Sequence, residues 1–165
     1  MKYLKIILSV LVVFGLSSCE KDSRFPEVEN GANAQFTRAL GVPATVASFN
    51  NATLSKANPT VKDNFTLKVV ESGNVASVRL MVDYIKGTTT ITKQLEEVKT
   101  WPANYSLSLN DLTALMGVTT ASTAAGDRFV LRTDFTLKSG TVVSSQAAVL
   151  AAAPYAIRLT YTVAN

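Results

Sequence analysis

The stretch from Asp127 to Lys138 alternates with a period of two, and that pattern constrains the fold more than any other feature of the chain. Phe129, Leu131, Thr133, Phe135 and Leu137 fall on one side, and Arg128, Arg132, Asp134, Thr136 and Lys138 on the other, with Val130 as the exception. In a strand, successive side chains point to opposite faces, so this segment reads as an antiparallel strand with one buried and one solvated face. Ser139-Gly140 supplies a turn, and Thr141 to Ser145 returns as the hairpin partner. Phe65, Leu67 and Val69 alternate with Thr66 and Lys68. Val78, Leu80, Val82 and Tyr84 give a further strand, closed by Lys86-Gly87. Tyr155, Ile157, Leu159, Tyr161 and Val163 share one face of a last strand, and Val42 to Phe49 and Tyr105 to Leu109 suit shorter ones.

Two segments need separate treatment. Thr88 to Thr100 places Ile91, Leu95 and Val98 at helical spacing, yet its start is a run of β-branched residues after a turn, so it reads as strand. Ser108 with Asp111 forms a capping-box pattern using the shorter acid. Leu112, Leu115 and Met116 then share a face, and Gly117 suits the position after a helix end, so one short helix is expected here. Gly117 to Gly126 is small, uncharged and loop-like. About seven short strands with one short helix describe an all-β fold, an immunoglobulin-like β-sandwich. A chain of 165 residues with 47% hydrophobic content has enough material for one such core and little for a second.

The composition excludes several chemistries. There is no histidine and a single cysteine, Cys19, which removes a His-based triad, a His-ligated zinc and an internal disulfide. No phosphate-cradling glycine loop, Ca²⁺-loop spacing or serine–lysine pair within the domain is present. Glu96 and Glu97 are neighbours on a strand and point apart, which does not suit a glycosidase pair. The expectation is a non-catalytic protein with no cofactor and no metal. The net charge of +4 is spread singly, from Arg38 through Lys68 and Arg79 to Arg158. A nucleic-acid binder would cluster its bases, so solvated strand faces explain them better.

The N-terminus has a different character. Met1 to Lys5 is short and basic, and Ile6 to Leu16 is eleven residues without charge. As a helix that run rises about 16 Å, half of a hydrocarbon core of about 30 Å, which is the length of a secretory signal rather than of a membrane span. Leu16-Ser17-Ser18-Cys19 follows, and it resembles the bacterial lipobox. There an aliphatic and two small residues precede a cysteine that is lipid-modified before signal peptidase II cuts in front of it. Residues 1–18 are then a signal peptide and 19–35 an acylated cysteine with a tether. That tether is acidic from Glu20 to Asn30 and continues without periodicity through Gly31 to Gln35, leaving 36–165 as the β-domain. The alternative is an ordinary secreted protein with a chance cysteine. Glu20-Lys21-Asp22-Ser23 resembles the surface-export signal of Bacteroidetes lipoproteins, except that Ser23 stands where a second acid is usual.

The lipobox, the acidic tether and the run Gly126-Asp127-Arg128-Phe129 through Asp134 to Gly140 are together similar to outer-membrane and surface lipoproteins of Bacteroidetes that carry an immunoglobulin-like domain. The resemblance implies an outer-membrane, lipid-anchored protein, facing either the cell surface or the periplasm, with Cys19 as the lipid attachment site. It implies membrane contact through that lipid and, as partner, an extracellular glycan or another surface protein; nucleic acid is not expected. A structural or assembly module, such as a fimbrial subunit or envelope scaffold, is the alternative. Within the domain, Trp101, next to Pro102, and Tyr105 are the binding candidates, because indole and phenol rings stack on sugar faces. The plainer expectation for Trp101 is packing at the edge of the core.

Overall fold

The computed structural model describes residues 34–38, 51–69, 74–144 and 158–165. Among the described residues the chain is all-β apart from one helix and a single 3-10 turn, Thr120–Ser122. In chain order the elements are β1 (Ala34–Arg38), β2 (Asn51–Ser55), β3 (Lys62–Val69), β4 (Val75–Lys86), β5 (Thr89–Val98), β6 (Ala103–Ser108), α1 (Leu109–Met116), β7 (Arg128–Leu137), β8 (Val142–Ser144) and β9 (Arg158–Ala164). They form two sheets. The smaller has the order β1-β3-β6, and the larger runs β2-β9-β7-β4-β5, with β8 paired to β7 beyond the end of β9. All pairings are antiparallel except β2 with β9.

One hydrophobic core joins the sheets, and the alternation in each strand decides what enters it. Phe65, Leu67 and Val69 of β3 share one buried cluster with Leu80, Val82, Leu131, Phe135 and Leu159 of the larger sheet. In register across β9, β7 and β4 lie Tyr161, Phe129 and Tyr84, all buried, with the Tyr84 and Phe129 rings stacked 4.7 Å apart. The segment Thr89–Val98 is strand, as its β-branched start suggests, with a bulge in its pairing to β4 between Leu80 and Met81. Helix α1 closes one end of the core with Leu109, Leu112 and Met116. Its first turn is held by a capping box: the Asp111 amide donates to Ser108 Oγ, and the Ser108 amide donates to Asp111 Oδ2 at 2.9 Å. Those Ser108 bonds hold the Asp111 carboxyl below its ordinary range. Gly117 ends the helix at φ 74°, a left-handed conformation that a side chain would strain.

Several sequence expectations change. Nine strands are present among the described residues, where about seven were expected. The two extra ones, β1 and β2, have five residues each, too few alternating positions to announce themselves, whereas the hairpin partner expected over Thr141 to Ser145 is present as β8. Strand β1 begins at Ala34, inside the stretch read as tether, because Ala34 is small enough to be fully buried against β3 while Gln35 faces out. Leu109 starts the helix and does not extend the strand before it. The segment Val42 to Phe49, together with Tyr155 and Ile157, lies outside the described residues.

The largest correction concerns β7, whose charged face is exposed at Arg128 and Lys138 but buried at Arg132 and Asp134 between them. Arg132 is 5% exposed and Asp134 7%. Arg132 Nε donates to Asp83 Oδ2 of β4 at 2.8 Å and Nη1 to Asp134 Oδ1 at 3.0 Å. Thr92 of β5 also donates to Asp83, and Ser144 of β8 to Asp134. Because β7 is flanked on both sides by other strands, its outward side chains are crowded by neighbours, and charge there persists only when paired.

The central position of β7 sets a measurable hierarchy. Replacing Leu131, which is fully buried, with Ala should cost about 2–5 kcal/mol. Ser108→Ala, which removes one cap, should cost about 1 kcal/mol. Denaturant midpoints of the two variants check the order; equal losses would contradict this description of the core.

Candidate functional site

The outer face of the smaller sheet carries the most coherent polar surface. On β3, Asn64 and Thr66 point away from the core because Phe65 and Leu67 point into it. The register then sets Thr37 of β1, Thr66 and Asn104 of β6 in one row across the sheet, and Asn64 beside Ser106 in the next. These side chains line a shallow groove of about 350 Å³, to which Phe65 and Tyr105 also contribute. Thr66 Oγ1 donates to Asn104 Oδ1 at 2.8 Å, which leaves the two amide hydrogens of Asn104 for another acceptor.

The lining holds amides and hydroxyls and no charged residue. The one titratable residue that borders it is Tyr105, whose ring stacks on Phe65 on the core side of the sheet and whose phenol donates to Glu96 Oε2 of β5 at 3.0 Å. Burial, aided by the hydrogen bond to Glu96 and the charge of that carboxylate, pushes this phenol well above the ordinary tyrosine range. At neutral pH the groove therefore offers hydrogen-bond donors and acceptors but no group poised to move a proton. Lys62 and Lys68 lie on the same face of β3 at its two ends, outside the groove. Among the described residues there is no group of three or more acids or cysteines placed to hold a metal ion.

The two aromatic candidates go to different places. Tyr105 stands opposite Phe65 in register, with the rings stacked 5.1 Å apart, and it borders the groove. Trp101 lies in the connection before β6, half-buried against the core and outside the groove. Cys19 lies outside the described residues. The groove residues Asn64, Thr66 and Asn104 were not singled out from the sequence. The alternation of β3 gives their side of the strand, but only the long-range pairing of β3 with β6 brings Asn104 to Thr66.

Two further phenols share the environment of Tyr105. Tyr161 donates to Asp63 Oδ2 at 2.7 Å, and Tyr84 donates to Asp127 Oδ2 at 2.7 Å. Burial first, and the carboxylate partner second, raise both; Tyr84 is pushed up to about 12. No family model matches the chain, and neither a curated protein nor a solved structure matches it.

A phenol whose folded-state value lies above its ordinary 10.0 contributes stability that is intact below pH 10 and is lost as pH rises toward the folded value. The fold should therefore hold up to about pH 10 and weaken between pH 10 and 12. Tyr84→Phe should narrow that loss. Phenolate absorbance followed with circular dichroism checks it: ionisation of these three tyrosines should coincide with unfolding. Their full ionisation near pH 10 in a folded chain would contradict the assignment.

Proposed function

We propose that this chain is a lipid-anchored lipoprotein of the bacterial outer membrane, a non-catalytic module that binds extracellular glycan in the groove of its smaller sheet. The observation that carries the binding reading is the uncharged lining of Asn64, Thr66, Asn104, Ser106 and Thr37. A sugar presents hydroxyls that both donate and accept, and amide and hydroxyl side chains match both roles without ionic partners. The anchoring reading rests on Leu16-Ser17-Ser18-Cys19 behind an eleven-residue uncharged run. Fourteen residues lie between Cys19 and Ala34, a span of up to about 50 Å when extended, enough to hold the groove clear of lipid headgroups.

The strand order supports the immunoglobulin-like form of the sandwich. In that scheme β1, β3 and β6 stand as strands A, B and E of one sheet. Strands β4, β7 and β9 stand as C, F and G of the other, with β5 added at its edge as C′.

Two variants test the reading. Cys19→Ser should lose fatty-acid incorporation and leave the membrane fraction or keep its uncleaved signal. Retention in the outer membrane with unchanged processing would refute the anchor. In affinity gels containing neutral polysaccharides, the full chain should be retarded on at least one, and Asn64→Ala/Asn104→Ala should not be. Equal mobility of the two proteins on every gel would refute the groove.

A further inference from the structure

The outer face of the larger sheet holds an imbalance of charge that its own residues do not resolve. Arg79 of β4, Arg128 and Arg132 of β7 and Arg158 of β9 lie on this face, against three carboxylates, Asp83 of β4, Glu97 of β5 opposite Arg79, and Asp134 of β7. Arg132 takes Asp83 and Asp134 at 2.8 and 3.0 Å, and Arg79 reaches Asp134 only at 3.8 Å. Arg158 stands directly opposite Arg132 in the β7–β9 register, and among the described residues it forms no ion pair. Its Nε is buried with no hydrogen-bond partner, and the Nε of Arg79 is in the same condition. Like charges directly opposite on neighbouring strands repel, and a buried guanidinium nitrogen without an acceptor is costly. A single negative charge placed at the outer end of the Arg158 side chain would offset the repulsion.

From this we infer a second binding site, at Arg158, for the carboxylate of an acidic sugar, a uronic acid residue of a glycan. Four guanidinium groups against three carboxylates leave one positive charge, which one carboxylate of a sugar ring neutralises. A guanidinium also accepts a carboxylate in a two-pronged geometry. Thr160 and Thr162 continue the same outward row of β9 as half-buried hydroxyls, suited to the hydroxyls of a ring. A peptide is less well served: from Thr160 onward β9 is paired on one side by β2 and on the other by β7, so no backbone edge is open there for another strand. The sugar class rests on the glycan reading above, whereas the anion site rests on Arg158 alone and lies on the opposite sheet from the groove.

The test uses the full chain in detergent, with trigalacturonate as the acidic sugar, a hexaglutamate peptide as the competing anion, and Arg158→Met. The substitution exchanges a half-buried cation for an apolar side chain of similar reach, so Arg158→Met should melt at or above the wild-type temperature. Trigalacturonate should raise the wild-type melting temperature by roughly 4 °C and leave Arg158→Met unmoved. Its dissociation constant should weaken at least about tenfold in the variant, and wild-type affinity should fall with added NaCl. The Asn64→Ala/Asn104→Ala variant should keep the whole response, which separates this site from the groove. Equal stabilisation of wild type and Arg158→Met, stabilisation by hexaglutamate alone, or no response to either probe would overturn the proposal.

Discussion

The Asp63 carboxylate joins the two sheets where packing alone would leave them free to slide. It accepts two hydrogen bonds from Arg38, Nε at 2.9 Å and Nη2 at 2.6 Å, within the smaller sheet. From the larger sheet it accepts the hydroxyl of Tyr161 at 2.7 Å. Arg38 reaches further, donating Nη1 to the backbone oxygen of Asn51 on β2. Burial of Phe, Leu and Val drives the sheets together but is non-directional, so it does not by itself fix their offset. A charged acceptor held by three donors does, because displacing the sheets would strand it.

The same device recurs on the opposite edge. Tyr105 of the smaller sheet donates to Glu96 of the larger one, so each side of the core is closed by a phenol on a carboxylate. With the offset fixed, the two outer faces are free to differ. The smaller sheet shows a neutral row of Thr37, Thr66 and Asn104, while the larger sheet concentrates Arg79, Asp83, Arg132, Asp134 and Arg158. One fold thus presents two chemically distinct surfaces, and the neutral one is the groove proposed for glycan.

What could be read from the sequence was whatever depends on neighbours along the chain. The alternation in β7, β3, β4 and β9 was visible, and so was the Ser108–Asp111 cap, because a strand's two faces and a helix's first turn are set locally. Strands β1 and β2 were not visible: five residues offer too few alternations, and their identity as strands comes from partners 27 or more residues away. The burial of Arg132 was hidden for a related reason. An arginine on the polar side of a strand looks solvated until strands on both sides crowd it and Asp83, 49 residues distant, supplies the countercharge. The groove was half legible, since Asn64 and Thr66 follow from β3 while Asn104 needed the pairing with β6.

The role of Asp63 is tested most directly by a double-mutant cycle on Asp63→Asn and Tyr161→Phe, with unfolding free energies from denaturant titration. If the Tyr161 hydroxyl and the Asp63 carboxylate tie the sheets, the summed losses of the two single variants exceed the loss in the double variant, by a coupling of about 1 kcal/mol or more. Losses that add to within about 0.3 kcal/mol would show that the sheets are held by core packing alone.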